Sequence, residues 1–221
     1  MIKVGFIGCG AMGRDHIDRI TNRMGNATIT GVYDLYPEAS QKAIDDFGLD
    51  ARIYGSAAEL IDSPDTDVVV MASRNDAHLE PLLHCIEVGK DVFTEKPMTI
   101  NAADSMKVVE AEVRAGRKYV QVGFNRRFDR NFKHVHDVVA DGGVGDVQII
   151  KVTSRDPEAP PISYVKVSGG IFLDMTIHDF DMMRYLSGSE VTEVSAFGAC
   201  LVDPEIAKAG DVDTCIITLR F

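Results

Sequence analysis

The chain has 221 residues, 45% hydrophobic and 26% charged, with 34 acidic against 23 basic side chains and a net charge of −11. That balance excludes the basic footprint a nucleic-acid binder needs, and no apolar run approaches the length of a membrane span. The composition is globular and the length favours two modest domains. The start, MIKVGFIGCGAMG, has no basic region followed by an apolar core and a cleavage site, so no secretory signal is expected. Cys9, Cys85, Cys200 and Cys215 lie far apart with no CxxC pair, which reads as reduced thiols filling core space in a cytoplasmic protein.

In chain order, the β-branched run IKVGFI precedes a helical pattern over 11–23, and TITGVY precedes one near 37–47. DVVVMA is followed by a helix near 77–88, DVFTE by a helix near 102–115, and KYVQVGF closes the series. Strands alternating with helices predict an α/β fold with a doubly wound, Rossmann-type parallel sheet over residues 1–123. Residues 124–221 change character. A helix near 129–140 leads to a strand at DVQIIKVTS (146–154), a Pro-rich loop RDPEAPPISYVKVSGG, a single helix over 169–186, and strands near 190–202 and 212–221. With no crossover helix between the last two strands, this part is expected to be an α+β domain with an open, mainly antiparallel sheet. The chain stops within the last strand, and a bare edge is normally covered or blunted, so a C-terminally truncated chain is expected.

The segment GCGAMG, from Gly8 through Gly10, Ala11 and Met12 to Gly13, matches GxGxxG between a strand and a helix. Gly8 permits the tight turn, Gly10 lets backbone approach a pyrophosphate, and Gly13 lets helix and strand pack closely. Asp34 ends the second strand at the spacing where an acid reads the adenine ribose hydroxyls, with no Arg immediately beside it for a 2′-phosphate. NAD is therefore the expected cofactor. A structural glycine turn and a methyltransferase loop holding adenosylmethionine are the competing readings.

FTEKPM places Glu95, Lys96 and Pro97 at the carboxyl end of the fifth strand, the edge where ligands sit in an open parallel sheet. A lysine there can stabilise negative charge developing on a substrate oxygen; an ordinary surface lysine is the plain alternative. In the 169–186 helix, Asp174, His178, Asp181 and Tyr185 form one narrow stripe flanked by Ile171, Met175, Ile177 and Met182. Buried polar groups need partners, so this stripe must meet protein or ligand. Histidine is the natural acceptor of a hydroxyl proton near neutral pH, and a carboxylate one turn away can support it. Two ligand-type side chains without a further His or Cys cluster argue against a metal.

Together, GFIGCGAMGRDH, EKPM, VGFNRRFD and SGGIFLDMTIHDFDMMRYL resemble the Gfo/Idh/MocA family of NAD(P)-dependent sugar and polyol oxidoreductases, over essentially the whole chain. The last motif, with TSRDPEAPP before it, is similar to the branch that oxidises myo-inositol to 2-keto-myo-inositol. The resemblance implies that Lys96 touches substrate and cofactor, that Asp174 binds substrate hydroxyls, and that His178 is the general base. It also implies that Arg127 and Asp156 line or approach the substrate pocket. Ser73, Asn75 and His78 in SRNDAHLEP match the loop beside the nicotinamide, although Asn75 and His78 read equally well as a helix cap and a packed histidine. Glu95 joins Lys96 on the cofactor side. Family members are longer and homo-oligomeric, so a tetrameric parent enzyme acting on a small polyol is implied.

Overall fold

The apolar runs of the N-terminal unit, Met1–Gly123, become a six-stranded, wholly parallel sheet. Its strands are β1 (Ile2–Ile7), β2 (Ala27–Tyr33), β3 (Arg52–Ile53), β4 (Val68–Met71), β5 (Asp91–Glu95) and β6 (Val120–Gly123). They lie in the order β3-β2-β1-β4-β5-β6, so the winding reverses between β1 and β4. The computed structural model describes residues 1–221. Five helices cover the sheet: α1 (Ala11–Arg23), α2 (Pro37–Phe47), α3 (Ala57–Asp62), α4 (Leu79–Val88) and α5 (Ala102–Ala115). Phe6, Ile17, Ile29, Val32 and Ala43 form one core, and Ile7, Leu60, Val69, Met71, Leu82 and Val108 form another. Strands buried on both sides must be apolar at successive positions, which is why VVVM and VGFI do not alternate.

The sequence reading omits β3 and α3. Two residues are too few for a strand pattern, but the start of α3 carries a signal in GSAAEL. The Ser56 hydroxyl accepts from the Glu59 N–H at 3.1 Å, and the Glu59 carboxylate accepts from the Gly55 N–H at 3.0 Å, a reciprocal cap of the S-x-x-E kind.

The second unit, Phe124–Phe221, contains α6 (Arg130–Ala140), α7 (Ile162–Ser168), α8 (Gly170–Asp174), α9 (Ile177–Ser187), β7 (Glu193–Ala199), α10 (Pro204–Lys208) and β8 (Thr214–Arg220). Strands β7 and β8 pair antiparallel, Glu193 opposite Arg220 and Ala199 opposite Thr214. Three expectations need correction here. Residues 146–154 form no strand: the run faces β8 across an open trough, so no neighbouring ladder takes up its N–H and C=O groups. The Pro-rich loop contains α7, which starts at the residue after Pro161 and ends at Gly169, φ 91°. The expected single helix over 169–186 is two, α8 and α9. Both the Met175 and Thr176 N–H groups turn onto the Ile171 carbonyl (3.2 and 2.9 Å), and the Thr176 hydroxyl donates back to the Phe172 carbonyl at 3.0 Å. Such back-bonding competes with the regular helical ladder and bends it. No helix of the chain is long and apolar enough to cross a membrane.

Candidate functional site

The glycine turn lies where β1 gives way to α1, at the reversal point of the sheet. Gly8 has φ +93°, and a Cβ there would stand 2.6 Å from the Ala72 carbonyl carbon and the Ser73 nitrogen. A Cβ on Gly13 would lie 2.0 Å from the Gly8 carbonyl oxygen, so α1 can approach the turn only with glycine at that position. Gly10 differs: a Cβ there would meet nothing within 4 Å, and Gly10, Ala11 and Met12 are all exposed. The outer side of the turn is thus open at the N-terminus of a 13-residue helix that has no side-chain cap and no acid in its first turn. Its first N–H groups lack intrahelical partners and present positive potential. Asp34 is built into the same turn, its Oδ2 accepting from the Cys9 N–H at 2.7 Å and its Oδ1 from the Tyr36 N–H at 2.9 Å. Each oxygen keeps further acceptor capacity. Gly8 packs against the Ser73 backbone nitrogen, and the Ser73 hydroxyl is buried without a protein partner. A cradle open at Gly10, an orphaned hydroxyl and an anchored acid fit a dinucleotide.

Lys96 follows β5 and precedes Pro97 through a cis peptide bond. Glu95 Oε1 accepts from His16 Nε2 at 2.6 Å, with both side chains largely enclosed. Burial raises the Glu95 pKa, but the His16 hydrogen bond and charge, together with the Lys96 N–H, outweigh it and hold the carboxyl below its usual range. Asn75 opens a 3₁₀ turn, Asn75–Ala77, after β4. His78 is fully buried, its Nδ1 facing the Pro97 carbonyl at 3.0 Å and its Nε2 the Ser73 carbonyl at 3.2 Å. Its ring therefore packs between the Ser73 and Pro97 segments.

In the second unit, Asp174 is the last residue of α8 and His178 the second of α9. The Tyr164 hydroxyl donates to Asp174 Oδ1 at 2.9 Å. Burial, then the hydrogen bond to Asp174, pushes the Tyr164 pKa up, which favours the protonated phenol as the donor of this bond. Tyr164, Asp156 and Asp174 line a trough of about 1980 Å³ that runs along β8, whereas His178 and Arg127 do not line it. This exceeds the roughly 300–1,000 Å³ of a small-molecule pocket, so the trough as a whole is no substrate cavity. Arg127 is engaged elsewhere: Nε and Nη2 grip Asp181 at 2.9 and 2.7 Å, and the guanidinium lies 5.0 Å over the Tyr185 ring. Tyr185 also stacks on His136, centroids 4.0 Å apart and 8° from parallel. The lower half of the polar stripe thus meets protein.

Sequence reasoning missed Tyr164, the Arg126–Asp179–Ser154 cluster and Asp211. Arg126 pairs with Asp179, whose Oδ1 also accepts from the Ser154 hydroxyl at 2.6 Å. The Asp211 carboxylate receives the Ile171 N–H at 3.0 Å and so caps α8. A tyrosine 10 residues ahead of an acid carries no helical or strand register that would have flagged it.

A family model described as an oxidoreductase family with an NAD-binding Rossmann fold matches residues 2–124, and a GFO/IDH/MocA C-terminal domain model matches residues 132–221. The chain is 42% identical over 220 residues to a myo-inositol 2-dehydrogenase of Thermotoga maritima, covering 100% of this chain and 65% of that protein. A myo-inositol dehydrogenase from Lactobacillus casei in complex with NAD(H) and myo-inositol superposes with a TM-score of 0.82 at 29% identity, covering 99% and 63% of the two chains. A scyllo-inositol dehydrogenase from the same organism, with bound NAD(H) and scyllo-inositol, gives 0.90 at 29% identity, covering 100% and 66%. The chain spans about 65% of the length of the curated relatives it matches.

Proposed function

The chain belongs to the Gfo/Idh/MocA oxidoreductase family, and on that premise we propose that it serves the NAD-dependent oxidation of a secondary alcohol of a cyclic polyol to the ketone, with myo-inositol giving 2-keto-myo-inositol. The observation that carries this reading is the glycine cradle, open at Gly10 and locked to Asp34 by the 2.7 Å bond from the Cys9 N–H. Bound NAD⁺ supplies the acceptor for the hydrogen leaving carbon. The cradle N–H groups and the α1 N-terminus hold the pyrophosphate, and the Asp34 carboxylate accepts from ribose hydroxyls while repelling a 2′-phosphate. Lys96 donates to the alcohol oxygen and stabilises the negative charge that develops there. His178 takes the hydroxyl proton. Asp174, oriented by Tyr164, accepts from neighbouring hydroxyls of the ring.

A second reading keeps the chemistry and changes the polyol: one solved relative holds myo-inositol and another scyllo-inositol, so both stereoisomers enter the test. A reducing, cytoplasmic setting is supported by four free cysteines, of which burial pushes the Cys9 and Cys85 thiols up to about 11 and about 12. The test is NADH formation from NAD⁺ with myo-inositol, scyllo-inositol and a hexose panel, with NAD⁺ binding measured in parallel. Turnover of an inositol is expected. Lys96→Ala is expected to lower kcat/KM by about 3 kcal/mol, on the order of 10²-fold. Turnover of hexoses alone would replace the substrate, and NAD⁺ binding without any turnover would make the chain a binding module.

A further inference from the structure

Lys96 stands between two neighbours that are each held by a histidine from a different element. On one side, His16 Nε2 donates to Glu95 Oε1 at 2.6 Å, and the His16 ring stands edge-on to Phe93, centroids 5.4 Å apart at 71°. On the other side, His78 faces the Pro97 carbonyl at 3.0 Å and the Ser73 carbonyl at 3.2 Å. The first pair is 15% and 16% exposed at its side chains, and His78 is 0% exposed, so water does not compete strongly for either contact. His16 lies on α1, the helix that begins at the glycine turn. His78 leads into α4 directly behind the Ser73–Ala77 loop that follows β4. A lysine side chain is a long, flexible stem, so a shift of its backbone is carried through to the ammonium it positions.

We propose that His16 and His78 are positioning residues that hold the neighbours of Lys96, His16 through the Glu95 carboxylate and His78 through the Pro97 carbonyl, and tie them to α1 behind the glycine turn and to the loop after β4, so that seating the dinucleotide and placing the Lys96 ammonium are coupled. The inference rests on the reading of Lys96 as the group that meets the substrate oxygen. A displacement of about 1 Å at a reacting group costs on the order of 10²-fold in rate, which sets the effect expected from releasing either clamp.

The experiment uses the full chain with its lysines ¹³C-methylated, the Lys96 signal being assigned by its loss in Lys96→Arg. NAD⁺ affinity is measured by calorimetry and the NAD⁺-induced shift of the Lys96 signal by NMR; neither needs turnover. For His16→Ala, the NAD⁺ Kd is expected to stay within about threefold of wild type. The Lys96 response should be lost and kcat should fall on the order of 10²-fold with little change in KM. His16→Gln, which places an amide donor where Nε2 stood, should restore most of the response, and His78→Asn should retain the Pro97 contact and behave alike. A purely structural role would move stability without this rescue. An unchanged Lys96 response in His16→Ala, or a wild-type Lys96 signal that ignores bound NAD⁺, would overturn the coupling. Failure of the parent reading looks different: NAD⁺ does not bind, or Lys96→Ala turns over like wild type.

Discussion

In the first unit the candidate cradle is made of backbone: three glycines, a helix N-terminus and one acid accepting two main-chain N–H bonds, all next to buried strands such as β1. In the second unit the candidate groups are held by side chains from distant positions: Arg127 to Asp181 across 54 residues, Asp211 to Ile171 across 40, Ser154 to Asp179 across 25. Strand β7 is exposed along its whole length there, with Phe197 at 77% and its opposite Ile216 at 72%. A backbone-built site depends on steric closeness and fails abruptly when an atom is added. A site held by polar pairs fails by increments as each partner is removed.

Four measurements break or sharpen that contrast. The largest effect is expected from Gly13→Ala, because the new Cβ would sit 2.0 Å from the Gly8 carbonyl oxygen, a backbone atom that cannot swing aside. We expect about 3 kcal/mol of destabilisation of the first unit and loss of NAD⁺ binding, read by calorimetry. Wild-type affinity would show that the turn is softer than its contacts. Next comes Asp181→Asn, which leaves Arg127 without its bidentate acceptor. Because the Arg127 side chain is 40% exposed, the cost is discounted to about 2 kcal/mol. Faster hydrogen exchange in α6 and α9 peptides by roughly 30-fold would register it, and unchanged protection would make the pair ornamental.

Tyr164→Phe is smaller and local. Losing one hydrogen bond to a carboxylate should cost about 1.5 kcal/mol in kcat/KM for the polyol, roughly tenfold, with the NAD⁺ Kd unchanged. A matching loss of NAD⁺ affinity would place Tyr164 outside the role proposed. The smallest effect is acid-linked. Glu95 has its folded-state pKa below the ordinary carboxylate value, so its contribution is complete above about pH 4.5 and is lost as pH falls through the depressed value. Thermal scans of wild type should therefore lose more stability than those of Glu95→Gln over that acid range. Parallel curves would remove the His16–Glu95 pair from the stability of the unit.

Residue patterns alone determined the doubly wound sheet, the glycine turn at Gly8–Gly13, the acid at Asp34 and the strand-end Lys96, since each depends on a local period or fixed spacing. The same patterns misread 169–186 as one helix, because apolar periodicity does not register the Thr176 hydroxyl turning back on the Phe172 carbonyl. They also lined up Asp174, His178, Asp181 and Tyr185 as one stripe. Only the tertiary structure divided them, handing Asp181 and Tyr185 to Arg127 and His136, and Asp174 to Tyr164. The strand expected at 146–154 failed for a related reason, since a strand exists only through the ladder of its neighbour. Local sequence fixes φ and ψ preferences and apolar period; which polar group meets which is decided by chain segments tens of residues apart, whose pairing carries no local signal.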